Sequence, residues 1–427
     1  MKSGLKVFHW IIFLWILVLI LQFNLIIHSA ELIIEFIGLL FSDLSTALIL
    51  LNFNLVDVFL STILFAFTLP LVFFYRKKLK LITTKLNFSF AFLVVLAFLF
   101  SFAPLITNQN PEFSKNLSVT KLLPPLTTVN QIELIQEKPG KLSQAELFLI
   151  KFNDVLKPAF DERIVFADSF HISNNIIIYQ KNNSYELEKS LVVTESGTLS
   201  VKNKLFLFGT DEFGRDIFSR LVYGTRVSIS VGLGAVLVSF IIGIVLGFTA
   251  AYRGGIVDIV LNRFTEMFLA FPVIYIIVLI LALFGSSIFS VIIVLGLSGW
   301  MSLFKIVKTE TISVIQKDFF VTAELIGLSK TQLLKKEIIP VIFTPVLVNL
   351  VFLFSNVILA EAALSYLGLG TGSSHPSWGS MISSGQEYIS KAWWLIVFPG
   401  LTLILTLFTF NTSGKIFSER INPTISR

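Results

Sequence analysis

Long apolar runs broken by short charged clusters recur along this chain and leave few folds open to it. Val7 to Ile27, Val56 to Tyr75, Phe88 to Leu105, Val227 to Tyr252, Val257 to Phe284, Ile288 to Leu303, Val341 to Ala360 and a last run ending at Phe410 all approach or exceed the length a helix needs to cross hydrocarbon. Lipid offers no partner for backbone N–H and C=O groups, so runs of this length must be helical. With 55% hydrophobic residues and a mean hydropathy of +0.84, the chain is too apolar for a soluble globular protein. The expectation is an all-α polytopic membrane protein with about eight transmembrane helices.

Charge then sets topology. The net charge of +6 is concentrated where the positive-inside rule places it, so it indicates orientation and not nucleic-acid binding. Arg76, Lys77, Lys78, Lys80 and Lys85 have no acid among them and mark a cytoplasmic loop, as Lys415, Arg420 and Arg427 do at the C-terminal end. Lys2 and Lys6 precede the first run as in a signal peptide, but no small-residue cleavage site follows and more spans do, so it reads as a retained anchor. Multi-pass insertion in the cytoplasmic membrane with both termini cytoplasmic satisfies every basic cluster. Glu31, Glu35 and Asp43 interrupt Ser29 to Asn54, which reads as an interfacial helix outside the cytoplasm.

Phe88 to Leu105 delivers the next stretch to the outer side. Residues 107–206 differ sharply in composition, being polar and charge-balanced with several Pro, and read as a small extracytoplasmic α+β or β domain. Gln144 to Phe152 suggests a helix; Asn175 to Gln180, a turn at Lys181 to Ser184, and Leu187 to Thr194 suggest a hairpin. Asp211, Glu212, Arg215 and Asp216 are expected to hold the following stretch near the outer water.

The later spans carry finer signals. Ala235, Ser239, Gly243, Gly247 and Ala251 recur every four residues, a small-residue stripe by which membrane helices approach closely. Arg263 and Glu266 are three apart and can pair at the inner mouth, as an interfacial pair or as gate or path residues; Pro272 is expected to kink that span. Asn356 is expected to be buried along its span, and Glu361 to begin an irregular outer loop to Lys391, both candidates for the gate or path. Trp393 and Trp394 fit an aromatic belt. Between two apolar runs, residues 305–340 form an aqueous loop, because Asp318, Glu324, Lys330, Lys335, Lys336 and Glu337 cannot lie in hydrocarbon. On a helix Ala323 and Gly327 would make one small face open to a partner, Ser329 would break it toward a second helix, and Pro340 would open the next span.

Absences also constrain function. There is no GxxxxGK[ST], HExxH or GxSxG run, there are no cysteines, and His9, His28, His171 and His375 lack ligand spacing. No catalytic residue, metal site or resident cofactor is expected, and a membrane enzyme is disfavoured.

Asp318, Phe319, Thr322, Ala323, Gly327, Leu328 and Pro340 together resemble the cytoplasmic "EAA" loop of ATP-binding cassette importer permeases, although Val321 stands where that family usually has Glu. FGTDEFGRDIFSRLVYGTRVSISVGLG from Phe208, EAALSYLGLG from Glu361, PSWG from Pro376, AWWLIVFPG from Ala392 and Phe410-Asn411 resemble, in order and spacing, the second membrane subunit of dipeptide and oligopeptide permeases, a family that extends to nickel transport. The resemblance implies a type I permease bundle: 86–106 as the first family-like helix and 207–424 as the core, with 1–85 as two additional helices and 107–206 lying outside it. It also implies a second homologous permease, two ATPase subunits carrying ATP and Mg, an extracytoplasmic substrate-binding protein, and import of peptides or related small solutes. An ion-coupled carrier or channel would need ionisable residues at mid-span, which are scarce here. A sensor whose outer domain binds ligand is the other alternative.

Overall fold

The computed structural model describes residues 6–421 apart from 76–86, 108, 135–142, 157–160, 162, 173–175, 181–182, 189–191, 193, 196–197, 200 and 372–374. The basic run at 76–85, Asn175, part of the 181–184 turn and Arg427 therefore lie outside the described residues. Helices dominate, and two compact units form, one from residues 1–87, 94–226 and 384–400, the other from 88–93, 227–383 and 401–427.

In the first unit, α1 (Val7–Leu21) stops at Gln22, whose φ of −123° and ψ of 28° break the helix, and α2 (Phe23–Ser42) restarts at once. The expected first span is thus divided. At 15 residues α1 is short for a crossing, whereas the 20-residue α2 is long and apolar enough for one. The acids that argued for an interfacial helix are partnered: Glu31 faces His28, and Glu35 pairs with Lys151. Leu25, Ser29, Leu32, Phe36 and Leu39 form the buried stripe of α2, with the helical spacing that places them on one side. Their core also includes Phe65 of α4 (Phe53–Tyr75), Phe98 and Phe102 of α5 (Phe88–Ile106) and Phe148 and Phe152. The short α3 (Leu44–Leu50) is capped by Asp43, which accepts from the Thr46 N–H.

Pro104 explains the local shape of α5. Lacking an N–H, it leaves the Phe100 carbonyl without its helical donor, and Phe102 departs from helical geometry at φ −119°, ψ 24°. Arg226 supplies the missing donors: Nε lies 2.5 Å from Phe100 O and Nη2 lies 3.1 Å from both Ser101 O and Ser61 Oγ. Its Nη1 pairs with Asp57 of α4. Asp57 and Arg226 are 169 residues apart, so their pairing is not legible in the sequence.

The polar region contains α6 (Leu117–Thr120), β1 (Thr127–Glu133), α7 (Gln144–Val155), β2 (Ile164–Ala167), β3 (Ser169–Ile172), β4 (Ile176–Gln180), β5 (Asn183–Leu187), β6 (Thr194–Glu195), β7 (Thr198–Leu199) and β8 (Val201–Phe206). Antiparallel sheets run in the orders β2-β1-β8 and β3-β4-β5. The hairpin is present, but its second strand starts at Asn183, earlier than expected, with Asn183 already paired to Gln180. Ser143 and Glu146 form a capping box that starts α7. Val129, Ile164, Phe166 and Phe206 make one small core and Ile132, Ile176, Ile178 and Val192 another.

In the second unit, most of α8 (Ile217–Arg253) packs with α11 (Ile288–Ile315) and α14 (Ile339–Tyr366). The span expected to kink at Pro272 is instead two helices, α9 (Gly255–Ala270) and α10 (Val273–Phe284), bent by 81°. Proline removes the backbone donor there and Phe271 adopts extended geometry. The chain ends with α15 (Trp378–Gly385) and α16 (Trp394–Ile421), reached from a loop helix, α12 (Asp318–Leu325), and α13 (Lys330–Leu333) by way of α14. Among the described residues, seven helices are long and apolar enough to cross a membrane, or eight if the bent pair is one span.

Candidate functional site

The loop between α11 and α14 has two chemically different sides. Phe320 and Ala323 of α12 are buried with Val307, Val314, Leu333 and Ile338, while Leu325 and Ile326 are 82% and 74% exposed. Thr322 donates to Asp318 O at 2.8 Å, and Phe319 is 43% exposed. Gly327 does not share a helix face with Ala323. It lies past the end of α12 at φ +91°, where a Cβ would strain the backbone, and the Leu328 N–H reaches back to Ala323 O. Ala323 thus anchors the loop from within, and among the described residues nothing lies within 4 Å of where a Cβ on Gly327 would stand.

Ser329 begins α13 with a capping box to Gln332, so the break after α12 falls at Gly327 to Ser329. A π turn over Leu334–Ile338 runs directly into α14, with Pro340 in its first turn; lacking an N–H, Pro340 cannot donate to the carbonyls of the turn before it. Leu328 packs partly against the same core.

The small-residue stripe of α8 meets small residues of α11. Ser239 Oγ donates to Gly296 O at 2.7 Å, and a Cβ on Gly296 would stand 2.5 Å from Val238. A Cβ on Gly243 would reach within 2.7 Å of Leu303, and one on Gly247 within 2.8 Å of Phe304 O. Ala235 is fully buried and Ala251 half-buried. Close backbone approach is what such residues allow in a medium without a hydrophobic drive.

Glu361 is not in a loop. It sits in the last turns of α14, fully buried, with Ser228 Oγ at 3.1 Å and Ser365 Oγ at 2.7 Å. Ser377 joins through Ser365 at 3.2 Å, and the Trp378 N–H donates to Ser228 Oγ at 3.3 Å. A carboxylate surrounded by hydroxyl donors therefore ties the PSWG stretch to α8 and α14. Gly379 is needed there, since a Cβ would stand 2.5 Å from Ala362 O. The serines carried no signal in sequence, because serine is common and its partners are remote along the chain.

Asn356 lies on the exposed face of α14, contrary to the burial expected, since Ser355, Val357 and Ile358 occupy the buried side. Arg263 and Glu266 pair at 2.9 Å on the exposed surface of α9, while Asp258 pairs with Lys308 at 2.5 Å. Asp211, Arg215 and Asp216 are not solvated. Arg215 contacts Asp211 at 2.7 Å and Glu112 at 2.5 Å, Arg220 contacts Glu112 at 2.6 Å, and Asp216 caps α8 at Ser219. Burial raises the energy of each charge, and mutual pairing offsets it. Trp394 is buried, donating to Thr210 O at 3.1 Å, and only Trp393 keeps the exposure expected of a belt residue. Among the described residues no His/Cys/Asp/Glu cluster could hold a metal.

A family described as "Binding-protein-dependent transport system inner membrane component" matches residues 243–427. The oligopeptide transport system permease protein OppC of Haemophilus influenzae is 37% identical over 216 residues, 51% of this chain and 70% of that protein. The dipeptide permease DppC of Alkalihalophilus pseudofirmus is 35% identical, over 51% and 71% respectively. Among solved structures, an inward-facing methionine ABC transporter, MetNI, superposes with a TM-score of 0.39 at 13% identity, over 49% of this chain and 97% of that one. On ordered similarity across most of these relatives' length, the chain belongs to the family of binding-protein-dependent transport inner membrane components, the permease subunits of ATP-binding cassette importers.

Proposed function

We propose that this chain supplies half of the membrane path of an importer for peptides or chemically related small solutes, and that α12 to α13 is the lever on which a separate ATPase acts. Its partners are then a second homologous permease, two ATPase subunits that carry ATP and Mg, and an extracytoplasmic binding protein. Both termini and the 305–340 loop lie in the cytoplasm. ATP-driven closure of the ATPases pushes the loop and shifts the permease pair between inward-open and outward-open states, an equilibrium biased by differential binding.

The observation that carries this reading is the two-sided loop. Phe320 and Ala323 are set in the base of α11 and α14, so a push on α12 is transmitted to both helices. Leu325 and Ile326 remain in water at 82% and 74% exposure, and each would gain about 1.5–3 kcal/mol if a partner covered it fully. Replacing both by Asp tests this in complexes purified under mild detergent from native membranes. The expected result is loss of the ATPase with the second permease retained, and loss of uptake. An ATPase that stays bound to the double variant would overturn it.

A further inference from the structure

We propose that Ser302 and Lys305 of α11 with Asn349 and Asn356 of α14 form the polar wall that this chain contributes to the solute path, and that the exposed Asn356 carboxamide hydrogen-bonds the backbone of a peptide in transit. The inference rests on the importer reading above and deepens it.

The exposed faces of α8 and α16 in this unit are what lipid demands. On α8, Leu233, Leu237, Ile241 and Val245 recur every four residues at 53–58% exposure. On α16, Leu401, Ile404 and Phe408 are exposed until Asn411, one turn before the basic Lys415. The α11–α14 face is different. Ser302 and Lys305, three residues apart, are both exposed. Asn349 Nδ2 lies 3.4 Å from Ser302 Oγ, which joins the two helices by their polar side chains. Asn349 Oδ1 is buried with no hydrogen-bond partner among the described residues. Asn356 is seven residues further along α14, two turns on, and exposed.

An amide exposed to hydrocarbon is costly, and intramembrane polar groups face a protein interior or a water-filled cavity. The stripe is therefore turned from lipid, and we place it on the aqueous path between this chain and the second permease. A carboxamide offers donor and acceptor together, matching the N–H and C=O that every peptide repeats, and it is neutral, so it neither selects nor repels a charged peptide side chain. Lys305 stands at the loop end of the stripe, where a peptide's terminal carboxylate would be drawn.

The chain has no cysteine, so single substitutions Asn356→Cys and Leu237→Cys can be compared in the assembled complex in native membranes. A charged, membrane-impermeant methanethiosulfonate is expected to label position 356 about tenfold faster than position 237, because hydrocarbon excludes the reagent. In parallel, uptake of radiolabelled tri-alanine should fall about tenfold in Asn356→Leu and persist in Asn356→Gln, with the ATPase still co-purifying, as expected for loss of a hydrogen bond to solute. Equal labelling at 356 and 237, or full uptake by the Leu variant, overturns the inference. Absence of any ATPase from wild-type preparations would instead defeat the importer reading, whatever the labelling shows.

Discussion

Glu212 has a buried Oε2 with no hydrogen-bond partner among the described residues. Burial, reinforced by the charge of Asp211, pushes its carboxyl above the ordinary glutamate range, against the pull of Arg215 and Arg220. The folded state therefore binds more protons than the unfolded state between the ordinary value and the raised one. Stability is fully present below that window and is lost as pH rises through it. Glu212→Gln is expected to melt higher than wild type above the window and to flatten the pH profile, measured on the detergent-purified complex; an unchanged profile would count against a role for this carboxyl. Glu361 is buried more deeply yet has hydroxyl partners on three sequence segments. Nothing near either glutamate in sequence distinguishes the two, because the partners that separate them come from elsewhere in the chain.

Among elements, the tie between α4, α5 and α8 runs through Arg226. Both it and Asp57 are largely buried, at 18% and 15% exposure. Removing one member of such a pair leaves the other unpaired, at a cost of about 3–5 kcal/mol. Arg226→Met should lower the melting temperature sharply, and Asp57→Leu added to it should recover part of the loss; purely additive losses would show that the two do not act as a pair. Pro104 lies inside a run read from sequence as one crossing, and the residue that fills the break it makes lies on another helix, so neither the break nor its filling was legible. The loop between α11 and α14 was legible in part. Ser329 is readable as a cap and Pro340 as an opening, but the αL turn at Gly327 and the inward seat of Ala323 depend on what surrounds them.

For the whole molecule, the region from Thr127 to Phe206 enters and leaves at adjacent points, because β1 and β8 pair Thr127 with Phe206. A short Gly-Ser linker can therefore replace it without pulling Leu126 and Leu207 apart. We expect the second permease and ATPase still to co-purify, and the melting temperature to fall because Phe148 and Phe152 no longer cover α2. If this region receives the delivered solute, uptake should be lost as well; normal uptake would exclude that role. The sequence alone determined that the chain is a set of membrane helices with one polar insertion, and its ordered motifs determined the family. Both properties are carried by local composition and spacing, which survive without knowledge of neighbours. Tertiary structure decided which charges are paired, which polar residues remain open and which side of each helix is buried. Those depend on contacts between residues far apart in the chain, such as Asp57 with Arg226, Glu361 with Ser228 and Asn349 with Ser302.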